Sequence, residues 1–188
     1  MKIRKYGKFD KVVFYVHALL CQSPVNLDNY NEFLKIVEHS KQVWNYAKQL
    51  ADRLDLSKRE KKMLRYGVAL HDIGKINNVN RLYPEYTGKL KLHRFVGARF
   101  IMDYGTVWLK EHRFSKEEID VICEIIEFHK EGKADCKMAC IVAAADKLAH
   151  IEAAIAKKKK SLKRIEQLHD KKVRDQALKI AKKQGWRN

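Results

Sequence analysis

Ala69-Leu70-His71-Asp72-Ile73-Gly74-Lys75 sets two metal-capable side chains next to each other at the end of a helical run. His71 lies three residues after Val68 and seven after Leu64, so it belongs to the apolar face of that run. Asp72 cannot share its direction while the helix continues, because neighbouring residues on a helix do not face the same way. The two reach a common centre only where the helix ends and the backbone turns, and Gly74 suits that ending. A carboxylate at such a turn can bridge two cations, one oxygen to each.

Outward from this string the pattern is helical almost throughout. Ser57 with Glu60 forms a capping box that opens the helix ending at His71. Upstream, Asn29 and Glu32 cap a long helix ending near Leu54, with Phe33, Ile36, Val37, Val43, Trp44, Ala47 and Leu50 along one side. Residues 74 to 92 hold glycines, asparagines and Pro84 and read as a loop. A helix follows from near His93 to near Tyr104. Ser115 with Glu118 opens another, to about Lys130, and Gly132 stops it. The next runs from about Asp135 through Ala139–Ala145 to Ala156, and the remaining tail reads as one last helix. Only Val12–Val16 suggests a strand. The fold class is therefore all-α, a single helical domain with a basic C-terminal helix.

Further ligand-capable residues share the inner faces. His39 lies three residues after Ile36 and four before Val43. His93 precedes Val96 and Phe100, His129 follows Ile125 and Ile126, and Asp146 follows Val142 and Ala143 at the same steps. Any one of these histidines alone reads best as a hydrogen-bonded core residue. A buried carboxylate is different, because it needs a cation, a donor or a metal. Five such groups converging from five helices make a metal the economical explanation. Imidazole and carboxylate donors suit Fe, Mn, Co, Zn or Mg and do not choose among them.

His39, His71–Asp72 within the string above, and Asp146 within Ala145-Asp146-Lys147-Leu148 resemble the H…HD…D signature of the HD superfamily of metal-dependent phosphohydrolases, over about residues 35 to 150. His93 and His129 resemble the additional ligands of its two-metal branch. The resemblance implies one metal on His39, His71, Asp72 and Asp146, and a second on the bridging Asp72, His93 and His129. It implies hydrolysis of a phosphoester or phosphoanhydride in a nucleotide-type substrate, with one or two divalent metals per chain. Asp72 and Lys75 are the catalytic candidates, and Lys75, Arg81 and Lys89 the candidate substrate contacts. The cyclic-di-GMP branch carries paired histidines and a Gly-Tyr-Pro string, where this chain has His129-Lys130-Glu131-Gly132. Symmetrical diadenosine tetraphosphatases of HD type are closer in size and in their run of single histidines. The alternatives are a mixed-valent di-iron oxygenase on the same scaffold and a nucleic-acid-binding module with a structural metal site.

Charge divides the chain. The net charge is +17, and residues 157 to 188 carry 13 Lys and Arg against three Asp and Glu. The tail is thus a candidate contact for nucleic acid or other polyanions, and Lys157–Lys160 reads as a solvated helix surface. Within that tail Leu162, Ile165, His169, Val173, Ala177 and Ile180 form an apolar stripe that predicts docking. The expected organisation is an N-terminal extension over 1–27, the metal-dependent hydrolase domain over 28–156 and the basic helical tail over 157–188. Val12–Cys21 is too short to span a bilayer and lacks a small-residue cleavage site. The four cysteines are therefore expected reduced, in a cytoplasmic protein without membrane contact, and Cys136 and Cys140 read as small core residues.

Overall fold

The computed structural model describes residues 7–24, 30–86, 92–149 and 155–185, the stretch 155–160 by its backbone alone. The helices are α1 (Lys8–Gln22), α2 (Tyr30–Arg53), α3 (Lys58–Leu70), α4 (Asn77–Arg81), α5 (His93–Phe100), α6 (Thr106–Glu111), α7 (Lys116–Phe128), α8 (Lys137–Leu148), α9 (Ile155–Glu166) and α10 (Lys171–Lys183). The described residues contain no β-strand, only an isolated bridge between Lys133 and Cys136. The fold is all-α. None of the described helices is long and apolar enough to cross a membrane.

The chain is organised around α8, whose residues from Ala139 to Leu148 are all buried. Its run of Ala143, Ala144 and Ala145 offers only methyl groups, so neighbouring helices approach closely. α2 and α7 pack against it, and α3 joins them at the same core. On another side α8 is covered by α9 and α10. Leu162, Ile165, Leu168, Val173, Ala177 and Ile180 are buried there. Burying each of the larger aliphatic chains contributes about 1.5–3 kcal/mol, enough to dock a segment that is otherwise strongly basic.

Both capping boxes that the sequence predicts are present. Ser57 Oγ accepts from the Glu60 amide and the Glu60 carboxylate accepts from the Ser57 amide. Ser115 and Glu118 make the same reciprocal pair. Gly132 adopts φ +75°, and its amide donates to Phe128 O, closing the end of α7. The expected cap at Asn29 lies outside the described residues. Glu32 instead accepts from the amide and side chain of Asn77.

Five expectations are corrected. The helix expected to reach Ala156 ends at Leu148, and Ile155 and Ala156 already belong to α9. Val12–Val16 is helical within α1, where Phe9, Val12, Val16, Leu19 and Leu20 face the core at helical steps. The stretch after Asp72 is not simply a loop. A 3-10 turn covers Ile73–Lys75, α4 follows, and a second turn covers Pro84–Tyr86. The helix from His93 does not continue regularly to Tyr104. It widens into a π-turn at Ile101–Gly105 and resumes as α6. The tail is two helices, not one. Asp170 caps α10 by accepting from the Val173 amide, and the break turns His169 outward while Leu168 takes the buried place.

Candidate metal centre

α3 and α7 end in the same manner, each on a histidine. At the C-terminus of a helix the last carbonyls have no amide partner. His71 Nδ1 lies 2.7 Å from Val68 O, and His129 Nδ1 lies 2.6 Å from Ile126 O. A carbonyl can only accept, so each Nδ1 carries the proton and each Nε2 keeps its lone pair. Both rings are thereby fixed with a metal-capable nitrogen aimed inward, as expected when an outer partner sets the tautomer of a ligating histidine.

The turn after His71 brings Asp72 into the centre. Asp72 Oδ2 is 3.4 Å from His71 Nε2 and 3.7 Å from His39 Nε2. Its Oδ1 is 3.2 Å from His93 Nε2 and 3.6 Å from His129 Nε2. One carboxylate thus presents one oxygen to each of two imidazole pairs. His93 Nε2 and His129 Nε2 lie 3.3 Å apart.

His93 reaches this position because Gly74 lets the turn approach α5. A Cβ on Gly74 would lie 2.0 Å from His93 O and 2.7 Å from Gly97 N. His39 comes from the middle of α2 and Asp146 from the last turn of α8. Asp146 Oδ1 is 3.1 Å from His39 Nε2, and its other oxygen accepts from Lys147 Nζ.

The electrostatics follow from burial. His71, Asp72, His93 and His129 are all at most 2% exposed. Burial, opposed only in part by Asp72 and Asp146, pushes the His71 imidazole below its ordinary value. Burial and the neighbouring His71 push His129 down to about 3. Both rings are therefore neutral near pH 7, the form that ligates metals. For Asp72 burial acts upward, but His71, the His93 hydrogen bond and Lys75 outweigh it and hold the carboxyl well below its usual range. Asp146 is likewise held down against burial by Lys147, His39 and His71.

These residues fit a bound cation. His71 Nε2 is fully buried and has no hydrogen-bond partner among the described residues, and such a group is costly unless something else takes its lone pair. Two sets of side chains could each hold an ion, His39 with His71 and Asp72, and Asp72 with His93 and His129. Within each set one ligand atom per residue lies within 4.8 Å of the others.

The centre opens into a cavity of about 480 Å³ lined by His39, Asp72, His129 and Asp146, with Lys75, Lys130, Lys147 and others around them. Lys75 Nζ is 2.5 Å from Asp72 Oδ2, so this expected contact does sit at the centre. Arg81 is exposed at the end of α4 and is not among the residues that line the cavity. It lies two residues after the buried Val79, on the opposite side of its helix. Lys89 lies outside the described residues. Tyr83, a candidate for base stacking, is buried and donates to Asp103.

Sequence reasoning missed Lys130, Lys147, Arg164, Gln167 and His169 as lining residues. For Lys130 and Lys147 a signal existed, since each directly follows a proposed ligand. For the tail residues nothing in the sequence signals it, because their position depends on how α9 docks. Cys136 and Cys140 are buried, with thiols pushed up by burial, which suits core residues.

No curated protein and no solved structure matches the chain significantly. The family model described as HD domain matches residues 36–151, a span that holds His39, the His71–Asp72 pair, His93, His129 and Asp146. The chain therefore belongs to the HD superfamily of metal-dependent phosphohydrolases.

Proposed function

We propose that the chain hydrolyses a phosphoester or phosphoanhydride bond of a nucleotide-type substrate at a two-metal centre. The observation that carries this reading is Asp72, whose two oxygens face two separate imidazole pairs at 3.2–3.7 Å. In this reading His39, His71, Asp72 and Asp146 hold one divalent cation, and Asp72, His93 and His129 hold the other. When bound, such cations supply water activation near neutral pH and neutralise charge on phosphate oxygens.

The side chains do the rest. His71 and His129 stay neutral and oriented through their bonds to Val68 O and Ile126 O. Lys75 and Lys147 offset the carboxylates of Asp72 and Asp146 and stand beside the place where phosphate oxygens would lie. Lys75, with a side chain 42% exposed, can leave Asp72 for a phosphate at small cost. The cationic lining suits an anionic, phosphate-bearing substrate, which favours phosphate chemistry over oxygenation of an uncharged compound on the same scaffold.

The test joins metal analysis of the purified chain to a screen of phosphate and nucleotide release over mononucleotides, cyclic nucleotides and dinucleoside polyphosphates. Metal-dependent release that Asp72→Ala abolishes is expected. A fully active Asp72→Ala chain, or oxygen consumption with iron and no hydrolysis, would overturn the reading.

A further inference from the structure

The cavity over the metal centre has two sources of positive charge. Lys75, Lys130 and Lys147 come from the helical core, whereas Arg164 belongs to α9, with Gln167 and His169 just beyond it. The tail thus forms one wall of the cavity. Three carboxylates also line it, those of Asp72, Asp146 and Glu131. Each has a cationic partner already, since Asp72 pairs with Lys75, Asp146 with Lys147 and Glu131 with Arg94. Arg164 and Lys130, by contrast, make no ion pair or hydrogen bond among the described residues. Lys130 is half-buried, repelled by Lys75 and Lys147 and attracted by Asp72. Four Lys and Arg side chains thus face three carboxylates, which leaves the cavity with surplus positive charge.

Its chemistry is also selective by what faces it. Apart from imidazoles, the described lining residues present no aromatic ring and no aliphatic side chain. Binding energy here comes from charge and hydrogen bonds. A volume of about 480 Å³ lies in the range of ordinary small-molecule sites and leaves room beyond one phosphate at the metals.

We propose that Arg164, with Lys130 and the polar side chains of Gln167 and His169, forms a second phosphate subsite that binds the phosphate of the substrate not under attack. This rests on the reading that the attacked phosphate sits at the metal centre. The substrate class is then a pyrophosphate or longer oligophosphate compound, gripped at two phosphates. The guanidinium fork suits a phosphate oxygen pair better than an ammonium does. The basic C-terminal segment accordingly completes the site, in addition to any general attraction of polyanions.

The experiment compares two non-hydrolysable probes on the full chain loaded with Mn²⁺ at fixed free metal. Methylenediphosphonate carries two phosphonates and methylphosphonate carries one. Binding is measured by calorimetry for the wild type, Arg164→Ala, Arg164→Lys and Lys163→Ala. Lys163 is exposed, adjacent in sequence and absent from the cavity lining, so its removal changes net charge equally without touching the subsite. Arg164→Ala is expected to weaken methylenediphosphonate at least about tenfold, the worth of a charge-assisted contact. Methylphosphonate should change by less than about twofold, as should either probe with Lys163→Ala. Arg164→Lys should fall between wild type and Arg164→Ala.

Equal losses for both probes, equal losses in Lys163→Ala, or no loss in Arg164→Ala would each overturn the subsite. Arg164 is exposed, so the variants should melt with the wild type. Hydrolysis is assayed in parallel on nucleotides. Turnover with an unaffected Arg164→Ala would sink the subsite and leave the enzyme standing. Probe binding that depends on Arg164, with no turnover of any of these nucleotides, would support Arg164 as a phosphate contact and overturn the nucleotide-hydrolase reading on which the subsite's role rests.

Discussion

Gly74→Ala adds one methyl group where the turn after Asp72 meets α5. The new Cβ would lie 2.0 Å from His93 O, 2.7 Å from Gly97 N and 2.9 Å from His93 C. All three are backbone atoms, so no side-chain rotation relieves the clash. Non-bonded carbon contacts settle at about 3.5 Å or more, so the turn and α5 must separate by roughly 1.5 Å. The Asp72 Oδ1–His93 Nε2 distance of 3.2 Å would open by a similar amount, whereas metal sites tolerate about 0.2 Å in their ligand distances. The second ion, on Asp72, His93 and His129, should be lost or bound far more weakly. The first, on His39, His71, Asp72 and Asp146, should be retained in part, because Asp72 moves but its partners do not. Overpacking of this kind costs about 1–3 kcal/mol, and for a chain of this size melting should fall by roughly 2–12 °C. Metal titration and thermal unfolding of the variant measure both effects. A Gly74→Ala chain with wild-type melting and two tightly held ions would refute the claim that this contact positions His93.

His93→Ala should remove mainly one ion of two, read by elemental analysis; unchanged metal content would favour a one-metal enzyme. Stripped of metal, the chain should lose stability as pH falls below about 6.5. The unfolded state then protonates imidazoles that stay neutral in the native state, His129 down to about 3 and His71 in the same direction. The slope is up to about 1.4 kcal/mol per pH unit for each such histidine. Asp72 and Asp146, with depressed values, add loss only below the usual carboxylate range, so urea midpoints at pH 7.5, 6 and 5 isolate the imidazoles, and a flat profile would contradict the assignment. Ile165→Ala should cost about 2–5 kcal/mol, since Ile165 is wholly buried; urea unfolding checks this, and a cost near zero would show that α9 does not dock.

Much of the site was legible because its parts obey local rules. The apolar steps around His39, His71, His129 and Asp146 locate the inner faces of four helices, and the turn forced by adjacent His71 and Asp72 is what makes Asp72 central. Both capping boxes are likewise local, and both form. What stayed hidden depends on packing. A short apolar run such as Val12–Val16 does not distinguish strand from buried helix by periodicity alone. The π-turn at Ile101–Gly105 carries no breaker beyond Gly105 itself. The tail's break before Asp170 was masked by a stripe that continues through His169, and only the docked position of α9 puts Arg164 on the wall of the cavity that His39, Asp72 and Asp146 also line. Lys147 was missed although it directly follows Asp146. A lysine beside an aspartate on a helix reads as solvated, yet here it is buried and folds back onto Asp146.

The central claim is that Asp72 bridges two cations. A crystal structure of the chain grown with Mn²⁺, with anomalous scattering used to locate the ions, tests it most directly. The account predicts two ions about 3.5–4 Å apart, one on each Asp72 oxygen, with His39, His71 and Asp146 around the first and His93 and His129 around the second. A single ion, or two ions of which either lacks Asp72 as a ligand, would contradict it.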